Sequence, residues 1–189
     1  MVWQLATTNP GKVADWTALL ASHDIEARPI VDLTQIEEVG HTCLENARSK
    51  AVAVVADLPV LADDVGLWVD AMDGQPGLHL KRWAHSIGGW SAARDALGSL
   101  AGTRAEFRIG VALAHAGQLV ASVEVTTPGI LCATSLDGPG VQPCFVPDGC
   151  TVSLPELPGT LHARVHYRSV ALRALFARLD GRVARPTTS

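Results

Sequence analysis

Residues 2–20 have the sequence VWQLATTNPGKVADWTALL, in which a short apolar run, a polar turn and an amphipathic segment follow one another. Residues 2–7 predict a short buried strand. Asn9 and Pro10 predict the start of a helix, because asparagine caps the first N–H groups of a helix and proline suits its first position. Apolar residues then recur at helical spacing as far as Leu20. The segment therefore predicts a strand followed directly by a helix.

The rest of the chain continues this alternation and then changes its period. Residues 105–114 and 118–127 predict two strands joined by a tight turn at Ala116-Gly117. Residues 128–160 are rich in proline and glycine and predict ordered loops with one short strand. The other predicted elements are strands at 25–31 and 60–62, helices at 43–57, 91–100 and 162–180, and a loose tail at 182–189. Together they predict an α/β or α+β fold around a mixed sheet.

Composition narrows the class of protein. The 189 residues, 48% of them apolar, suit one compact domain or two closely packed lobes. No apolar run reaches the roughly 18 residues of a membrane helix, and the first residues do not resemble a secretion signal, so we expect a cytoplasmic protein. The net charge is −4 and no Lys/Arg run is present, which argues against nucleic-acid and membrane partners. The four cysteines form no CxxC pair and are expected to be reduced thiols.

The polar turn before the first helix is a candidate phosphate-binding site. Unpaired N–H groups and the helix dipole favour anions at a helix N-terminus. Thr7 and Asn9 provide short polar side chains there, and Lys12 would add an ammonium group in the first turn. An ordinary capped helix with a surface lysine remains the alternative interpretation.

Two adjacent carboxylates, Asp63 and Asp64, follow the predicted strand at 60–62. The end of a strand is a common position for ligand sites in α/β sheets. A nearby cation would allow both carboxylates to stay ionised, and Mg²⁺ prefers such oxygen ligands together with substrate phosphates. A surface turn is an equally good interpretation of this pattern alone.

A third polar group lies between residues 37 and 50. Thr42 and Glu45 match a capping box at the start of the helix predicted at 43–57. Asn46 and Lys50 are four residues apart and share one face of that helix. Lys50 could therefore reach a phosphate while Glu38 supplies another metal ligand, although each residue taken alone is explained by structure.

Taken in order, these pieces resemble the inosine/xanthosine triphosphate pyrophosphatase family. The resemblance covers most of the chain and is carried by three blocks, LATTNPGK, EEVGHTCLENARSKA and LPVLADDVGLWVDAMDGQPGLHLKRWA. It implies a long, bent mixed sheet flanked by helices, with two lobes and a nucleotide cleft between them. It also implies a homodimer.

The resemblance further implies a Mg²⁺-dependent hydrolase that converts a nucleoside triphosphate and water into a nucleoside monophosphate and pyrophosphate. Glu38 and Asp63 would hold the metal, and Asp64 would activate the attacking water. The phosphate-binding residues would be Thr7, Asn9, Lys12 and Lys50, and Lys81 and Arg82 would line the same cleft.

The later part of the chain departs from the family pattern in the region that binds the base. A phenylalanine-glycine-aromatic-aspartate-proline segment is replaced by Pro139-Gly140-Val141-Gln142-Pro143. A serine-histidine-arginine triplet is replaced by His166-Tyr167-Arg168, and a pocket lysine by His162. The candidate base-pocket residues are Val141, Gln142, His162, His166, Tyr167 and Arg168.

Three functions remain open at this point. The first is hydrolysis of inosine or xanthosine triphosphates. The second is the same phosphate chemistry on a modified or pyrimidine nucleotide in a specialised biosynthetic pathway, because glutamine donates hydrogen bonds that aspartate cannot. The third is nucleotide binding without turnover.

Overall fold

The structure is a computed structural model that describes residues 1–30, 40–138 and 140–183. The strands are β1 (Val2–Leu5), β2 (Glu26–Pro29), β3 (Val60–Val69), β4 (Pro76–Gly77), β5 (Arg104–His115), β6 (Gln118–Leu131) and β7 (Phe145–Pro147). The helices are α1 (Pro10–Ala21), α2 (Cys43–Ala53), α3 (Leu80–Ser86), α4 (Trp90–Gly98), α5 (Gly159–Val165) and α6 (Tyr167–Val183). Among these described helices, none combines the length and the apolar character needed to cross a bilayer.

The strands form one mixed sheet in the order β2-β1-β3-β5-β6-β7, with β4 paired to β3. β1 is parallel to both β2 and β3, whereas β3 and β4, like β6 and β7, pair antiparallel. The hairpin predicted at Ala116-Gly117 is confirmed, and both residues have positive φ angles, 49° and 73°. The predicted α/β fold with a mixed sheet and flanking helices is therefore correct.

The chain divides into two compact units. The first unit comprises Met1–Asp64, Ile109–Val125 and Arg168–Ser189, and the second comprises Val65–Arg108 and Thr126–Tyr167. The nucleotide cleft expected between two lobes stays a prediction.

Small side chains allow α2 to pack closely on the sheet of the first unit. The core cluster there consists of Ala6, Ala47, Ala51, Val60, Ala62, Ala112 and Ala114. A Cβ atom added at Gly110 would lie only 2.3 Å from the backbone carbon of Cys43, so β5 and the first turn of α2 can approach only because position 110 is glycine. This packing holds the polar face of α2 in place.

The strand that carries the two aspartates is much longer than predicted. Asp63 and Asp64 lie within the ten-residue strand β3 and do not follow its end. The prediction stopped at residue 62 because consecutive carboxylates are unusual inside a buried strand. Successive side chains of a strand point to opposite faces, so each carboxylate can collect its own partners.

Other boundaries also differ from the predictions. The helix predicted at 43–57 ends at Ala53, because Val54 adopts an extended conformation. The second hairpin strand continues to Leu131. The helix predicted at 162–180 is two helices, α5 and α6, since His166 has an extended ψ of 128°.

Two further differences concern the helices α3 and α6. α3 was not predicted, because it has only seven residues and follows a turn rich in glycine and proline. α6 continues to Val183, and the remainder of the predicted tail, residues 184–189, lies outside the described residues.

Candidate active site

Asp63 is a buried carboxylate held by two cationic side chains of the first unit. Its side chain is 1% exposed, and the Nζ atom of Lys12 lies 3.1 Å from its Oδ1 atom. The same ammonium group donates to the backbone carbonyl of Asp63 at 3.2 Å. The Nε atom of Arg168 donates to Oδ2 of Asp63 at 3.3 Å. Both carboxylate oxygens are thus compensated by fixed positive charge.

These cations decide the ionisation state of Asp63. Burial acts to raise the pKa of this carboxyl, but the positive charges of Lys12, Arg168 and Lys50 outweigh burial and lower the pKa to about 2. Asp63 is therefore ionised at neutral pH. The sequence analysis expected a metal ion to keep the adjacent carboxylates charged, and here protein side chains perform that task for Asp63.

Asp64 is oriented by two residues of α2. The Nδ2 atom of Asn46 donates to Oδ2 of Asp64 at 2.9 Å, and Nζ of Lys50 lies 3.6 Å from Oδ1. The Oδ1 atom of Asn46 accepts a hydrogen bond from the Gly40 backbone at 2.9 Å. The amide of Asn46 is thereby fixed, and Asp64 keeps one defined orientation in a water-poor environment.

Capping at the start of α2 fixes the helix that carries Asn46 and Lys50. Thr42 caps the helix by accepting a hydrogen bond from the Glu45 backbone N–H at 3.0 Å. The Glu45 side chain accepts from the His41 backbone N–H at 2.6 Å. The predicted cap at Thr42 is confirmed, whereas Glu45 accepts from His41 and not from the Thr42 backbone as a capping box requires. The i,i+4 spacing then aims Asn46 and Lys50 at the same carboxylate.

Arg168 joins α6 to α1 as well as to β3. Its Nη1 atom donates to Oδ2 of Asp15 at 2.6 Å, and its side chain is 4% exposed. Lys12 and Asp15 are three residues apart on α1 and so share one face. The resemblance assigns Arg168 to the base pocket, and that role stays a prediction; its described bonds are with Asp63 and Asp15.

The turn before α1 is capped by its own side chains. The Oδ1 atom of Asn9 accepts hydrogen bonds from the backbone N–H groups of Gly11 at 2.9 Å and Lys12 at 3.3 Å. Thr7 Oγ1 accepts from the Asn9 backbone N–H at 3.2 Å. The helix start predicted at Asn9-Pro10 is confirmed. Since Asn9 engages two of the first amide groups, the phosphate-binding role of Thr7, Asn9 and Lys12 stays a prediction.

The predicted metal ligands are Glu38 and Asp63. Glu38, like Glu37, lies outside the described residues. Within the described part of the chain, no three His, Cys, Asp or Glu side chains come together as a metal site. The carboxylates of Asp63 and Asp64 nevertheless offer the hard oxygen donors that magnesium prefers, and Asp63 is held in its charged form.

Several candidate base-pocket residues come together in the second unit. Nε2 of Gln142 donates to the hydroxyl of Tyr167 at 2.8 Å, and both side chains are buried. The His166 ring stacks on Tyr167 with 4.2 Å between centroids. His162 stacks on His166 with 4.7 Å between centroids. Val141 precedes Gln142 and is 2% exposed.

This aromatic group continues into the core of the second unit. Phe107 lies 4.7 Å from the Tyr167 ring and 4.8 Å from the Phe145 ring, measured between centroids. The rings therefore provide a rigid support for Gln142 and Tyr167. Two further predicted cleft residues, Lys81 and Arg82, are exposed on α3. Pro139 lies outside the described residues.

The sequence did not predict which side chains contact the two carboxylates. The spacing of Asn46 and Lys50 was noticed, but the hydrogen bond from Asn46 to Asp64 was not predicted. The pairing of Arg168 with Asp63 and Asp15 was also missed. Helical spacing on α1 and α2 could suggest shared faces, but only the tertiary structure reveals which carboxylate each face meets.

Comparison with known proteins gives a consistent result. Residues 3–178 match the Ham1 family. A dITP/XTP pyrophosphatase of Rhodospirillum centenum is 38% identical over 188 residues, covering 92% of this chain and 92% of the relative. A dITP/XTP pyrophosphatase of Lactiplantibacillus plantarum is 32% identical over 188 residues, with 93% coverage of both chains.

Solved structures agree with these sequence matches. The Ham1 protein of Staphylococcus aureus superposes with a TM-score of 0.76 at 25% identity, covering 96% of this chain and all of that one. A nucleoside-triphosphatase / dITP/XTP pyrophosphatase from Mycobacterium abscessus superposes with a TM-score of 0.66 at 31% identity, covering 95% of this chain and 100% of that chain.

Proposed function

Since this chain belongs to the Ham1 family, we propose that it hydrolyses nucleoside triphosphates to nucleoside monophosphates and pyrophosphate, with Mg²⁺ as cofactor. Relatives covering nine-tenths of the chain are named dITP/XTP pyrophosphatases, which supports a purine triphosphate carrying a keto group as substrate. The observation that carries the proposal is the pair of adjacent buried carboxylates in β3, each with its own set of positioning partners.

Asp64 is proposed as the general base. It would take a proton from water as the water oxygen forms a bond to the α-phosphorus and the bond from that phosphorus to the bridging oxygen breaks. Pyrophosphate then leaves with the bonding electrons. The hydrogen bond from Asn46 and the nearby ammonium of Lys50 hold Asp64 in one orientation, which general-base catalysis requires.

Lys12, Lys50 and Arg168 are proposed to stabilise the negative charge of the triphosphate. All three lie within the same cluster as Asp63 and Asp64, and their side chains are 16%, 11% and 4% exposed. Fixed charges in such a buried setting act more strongly than they would in bulk water. Thr7 and Asn9 would complete the phosphate site at the start of α1.

Asp63, together with Glu38, is proposed to hold the Mg²⁺. When bound, the metal would screen the triphosphate charge and polarise the phosphorus–oxygen bonds. Asp63 suits this role because it is ionised far below neutral pH. Lys12 and Arg168 would keep the carboxylate oriented in the absence of metal.

A nucleoside triphosphate with a different base is the second candidate substrate, and one observation favours it. The Gln142 amide donates to the Tyr167 hydroxyl where the resemblance implies aspartate and histidine. A site with different donors and acceptors rejects bases that leave those groups unpaired. A modified or pyrimidine nucleoside triphosphate would therefore use the same phosphate chemistry. Binding without turnover is disfavoured, because Asp63, Asp64 and all three cationic partners are present.

Pyrophosphate release from a panel of nucleoside triphosphates tests the proposal. The panel includes dITP, XTP, the four common ribonucleotides and methylated pyrimidine triphosphates, each with Mg²⁺. We expect release from at least one of them, and release that is slower by a factor of about 10² to 10⁴ from the Asp64→Asn variant. Absence of release from every nucleotide, with native folding shown by circular dichroism, would favour the binding protein.

A further inference from the structure

Arg94 on α4 is a partly buried arginine whose guanidinium group holds a loop of the second unit. Its Nη1 atom donates to the backbone carbonyls of Gly138 at 3.3 Å and Gly140 at 3.2 Å. Its Nη2 atom donates to Oδ1 of Asp137 at 2.7 Å. The Arg94 side chain is 10% exposed, whereas that of Asp137 is 98% exposed. The partly buried guanidinium is therefore satisfied mainly by backbone carbonyls.

The backbone of the same residue contacts the other side of this loop. The carbonyl of Arg94 accepts a hydrogen bond from the Cys144 thiol, with 3.5 Å between sulfur and oxygen. Burial raises the pKa of Cys144 to about 11, so the thiol keeps its proton and remains a donor. Arg94 thus touches the chain at Asp137, Gly138 and Gly140 and again at Cys144, on both sides of Val141 and Gln142.

Val141 and Gln142 are the two candidate base-pocket residues of this loop. Gln142 lies in the short 3-10 turn Gln142–Cys144 and donates to Tyr167. A shift of the loop would move the Gln142 amide away from the Tyr167 hydroxyl, because a hydrogen bond weakens steeply with distance and angle. The bonds of Arg94 on either side restrict such a shift.

We propose that Arg94 is a positioning residue for base recognition, which it controls by holding Gln142 against the Tyr167 hydroxyl. The inference rests on the proposed function, because it assumes that these residues recognise the base of a nucleotide. Arginine suits this role because its planar fork reaches several acceptors at once, which the single ammonium of lysine cannot do. The exposed pair with Asp137 contributes little, so the carbonyl contacts carry the effect.

The test compares Arg94→Gln and Arg94→Lys with the wild type and with two controls. Asp137→Asn removes only the negative charge of the exposed partner. Arg104→Gln breaks another arginine–aspartate pair of the second unit, since Arg104 donates to both carboxylate oxygens of Asp148. We measure kcat and KM for the best nucleotide and for nucleotides with other bases, together with inhibition by inorganic triphosphate, which has no base.

We expect Arg94→Gln to raise KM about tenfold and to lower the selectivity between bases by a similar factor, with kcat within about twofold. Inhibition by inorganic triphosphate should be unchanged, and Arg94→Lys should recover only part of the selectivity. Both controls should match the wild type. A purely structural role would instead lower Tm and impair all substrates and the inhibitor equally.

Calorimetric dissociation constants for the same nucleotides separate this inference from the proposed function. If the wild type binds nucleotides without releasing pyrophosphate, the hydrolase proposal is wrong, but the base preference in binding still tests Arg94. If Arg94→Gln does not fold, Arg94→Lys gives the comparison. Unchanged base preference in a folded Arg94 variant, whether in KM or in dissociation constant, would overturn the inference.

Discussion

The Nε atom of Arg168 lies 3.3 Å from Oδ2 of Asp63, although 105 residues separate them in the sequence. This contact connects the first turn of α6 to the middle of β3. Together with Lys12, it allows a carboxylate that is 1% exposed to remain charged. The candidate active site therefore depends on a cation that arrives from the far end of the chain.

Removal of that cation should destabilise the fold. We expect Arg168→Met to lower the free energy of unfolding by about 3–5 kcal/mol, because it leaves the buried Asp63 carboxylate with one partner fewer. Arg168→Lys should cost less, since it keeps a positive charge. Urea denaturation at neutral pH measures the free energy of unfolding of both variants. The control Asp15→Asn alters a partner that is 35% exposed and should cost less than about 1 kcal/mol; a loss below 1 kcal/mol for Arg168→Met would contradict the prediction.

Asp63 should also make stability depend on pH in the acid range. Its pKa is about 2 in the folded chain, against about 3.9 for an unfolded aspartate, so the unfolded state binds protons first as pH falls. The stabilisation is fully present above about pH 4 to 5 and is lost as pH falls towards 2, amounting to about 2 kcal/mol. Urea denaturation in chelator at pH 3 and pH 6 should show a smaller difference for Asp63→Asn than for the wild type. Equal differences would show that other carboxyls cause the acid sensitivity.

The general-base role predicts a selective loss of turnover. Asp64→Asn keeps the oxygen that accepts from Asn46 but removes the proton acceptor. We expect kcat to fall by about 10² to 10⁴ while the nucleotide dissociation constant stays within a few fold. Pyrophosphate release and calorimetry measure the two quantities. The variant Asp57→Asn is a matched control, since Asp57 is an exposed aspartate that precedes β3 and lies outside the candidate active site. A near-normal kcat would transfer the role to Asp63 or Glu38.

Catalysis should require a divalent metal ion. The triphosphate brings several negative charges to a cluster that already contains two carboxylates, and Mg²⁺ would screen them during in-line attack. We expect excess chelator to abolish pyrophosphate release and added Mg²⁺ to restore it. Rates are compared at constant ionic strength, so that general screening by salt is excluded as the cause. Full activity in chelator would rule out the metal.

Gln142 should influence which base is accepted. Aspartate at this position cannot donate to the Tyr167 hydroxyl, and it restores the residue type expected from the family resemblance. If the second candidate, a nucleotide with a different base, is the substrate, the wild type should hydrolyse inosine and xanthosine triphosphates less well than that nucleotide. Gln142→Asp should then shift kcat/KM towards those two purines by about fivefold or more. The exposed Gln118 provides the control Gln118→Asp. If inosine triphosphate is already the best substrate, with kcat/KM of about 10⁵ M⁻¹s⁻¹ or more, the pocket has kept the family preference.

Short-range features of this protein could be predicted from the sequence. The start of α1 at Asn9-Pro10 and the hairpin turn at Ala116-Gly117 depend on capping and on positive φ angles, which involve only residues close in the chain. The resemblance of the Asp63-Asp64 block also led to the right family. These signals are local because the side chain and the backbone group that it satisfies are neighbours.

The extent of β3 could not be predicted in the same way. Two adjacent carboxylates argue for the end of a strand when the sequence is considered alone. They are tolerated inside β3 because Lys12, Lys50, Asn46 and Arg168 surround them, and all four come from helices outside that strand. The cost of burying a charge depends on its partners, and partners distant in sequence are known only once the chain has folded.

The sequence by itself therefore determined the family and the α/β alternation, and it singled out the candidate catalytic side chains, whose roles stay predictions. Only the tertiary structure decided which cation pairs with which carboxylate, that Asn46 orients Asp64, and that Arg94 holds the loop carrying Gln142. The physical reason is range: capping and turn formation act over a few residues, whereas ion pairs and buried hydrogen bonds require atoms within about 4 Å whatever their separation along the chain.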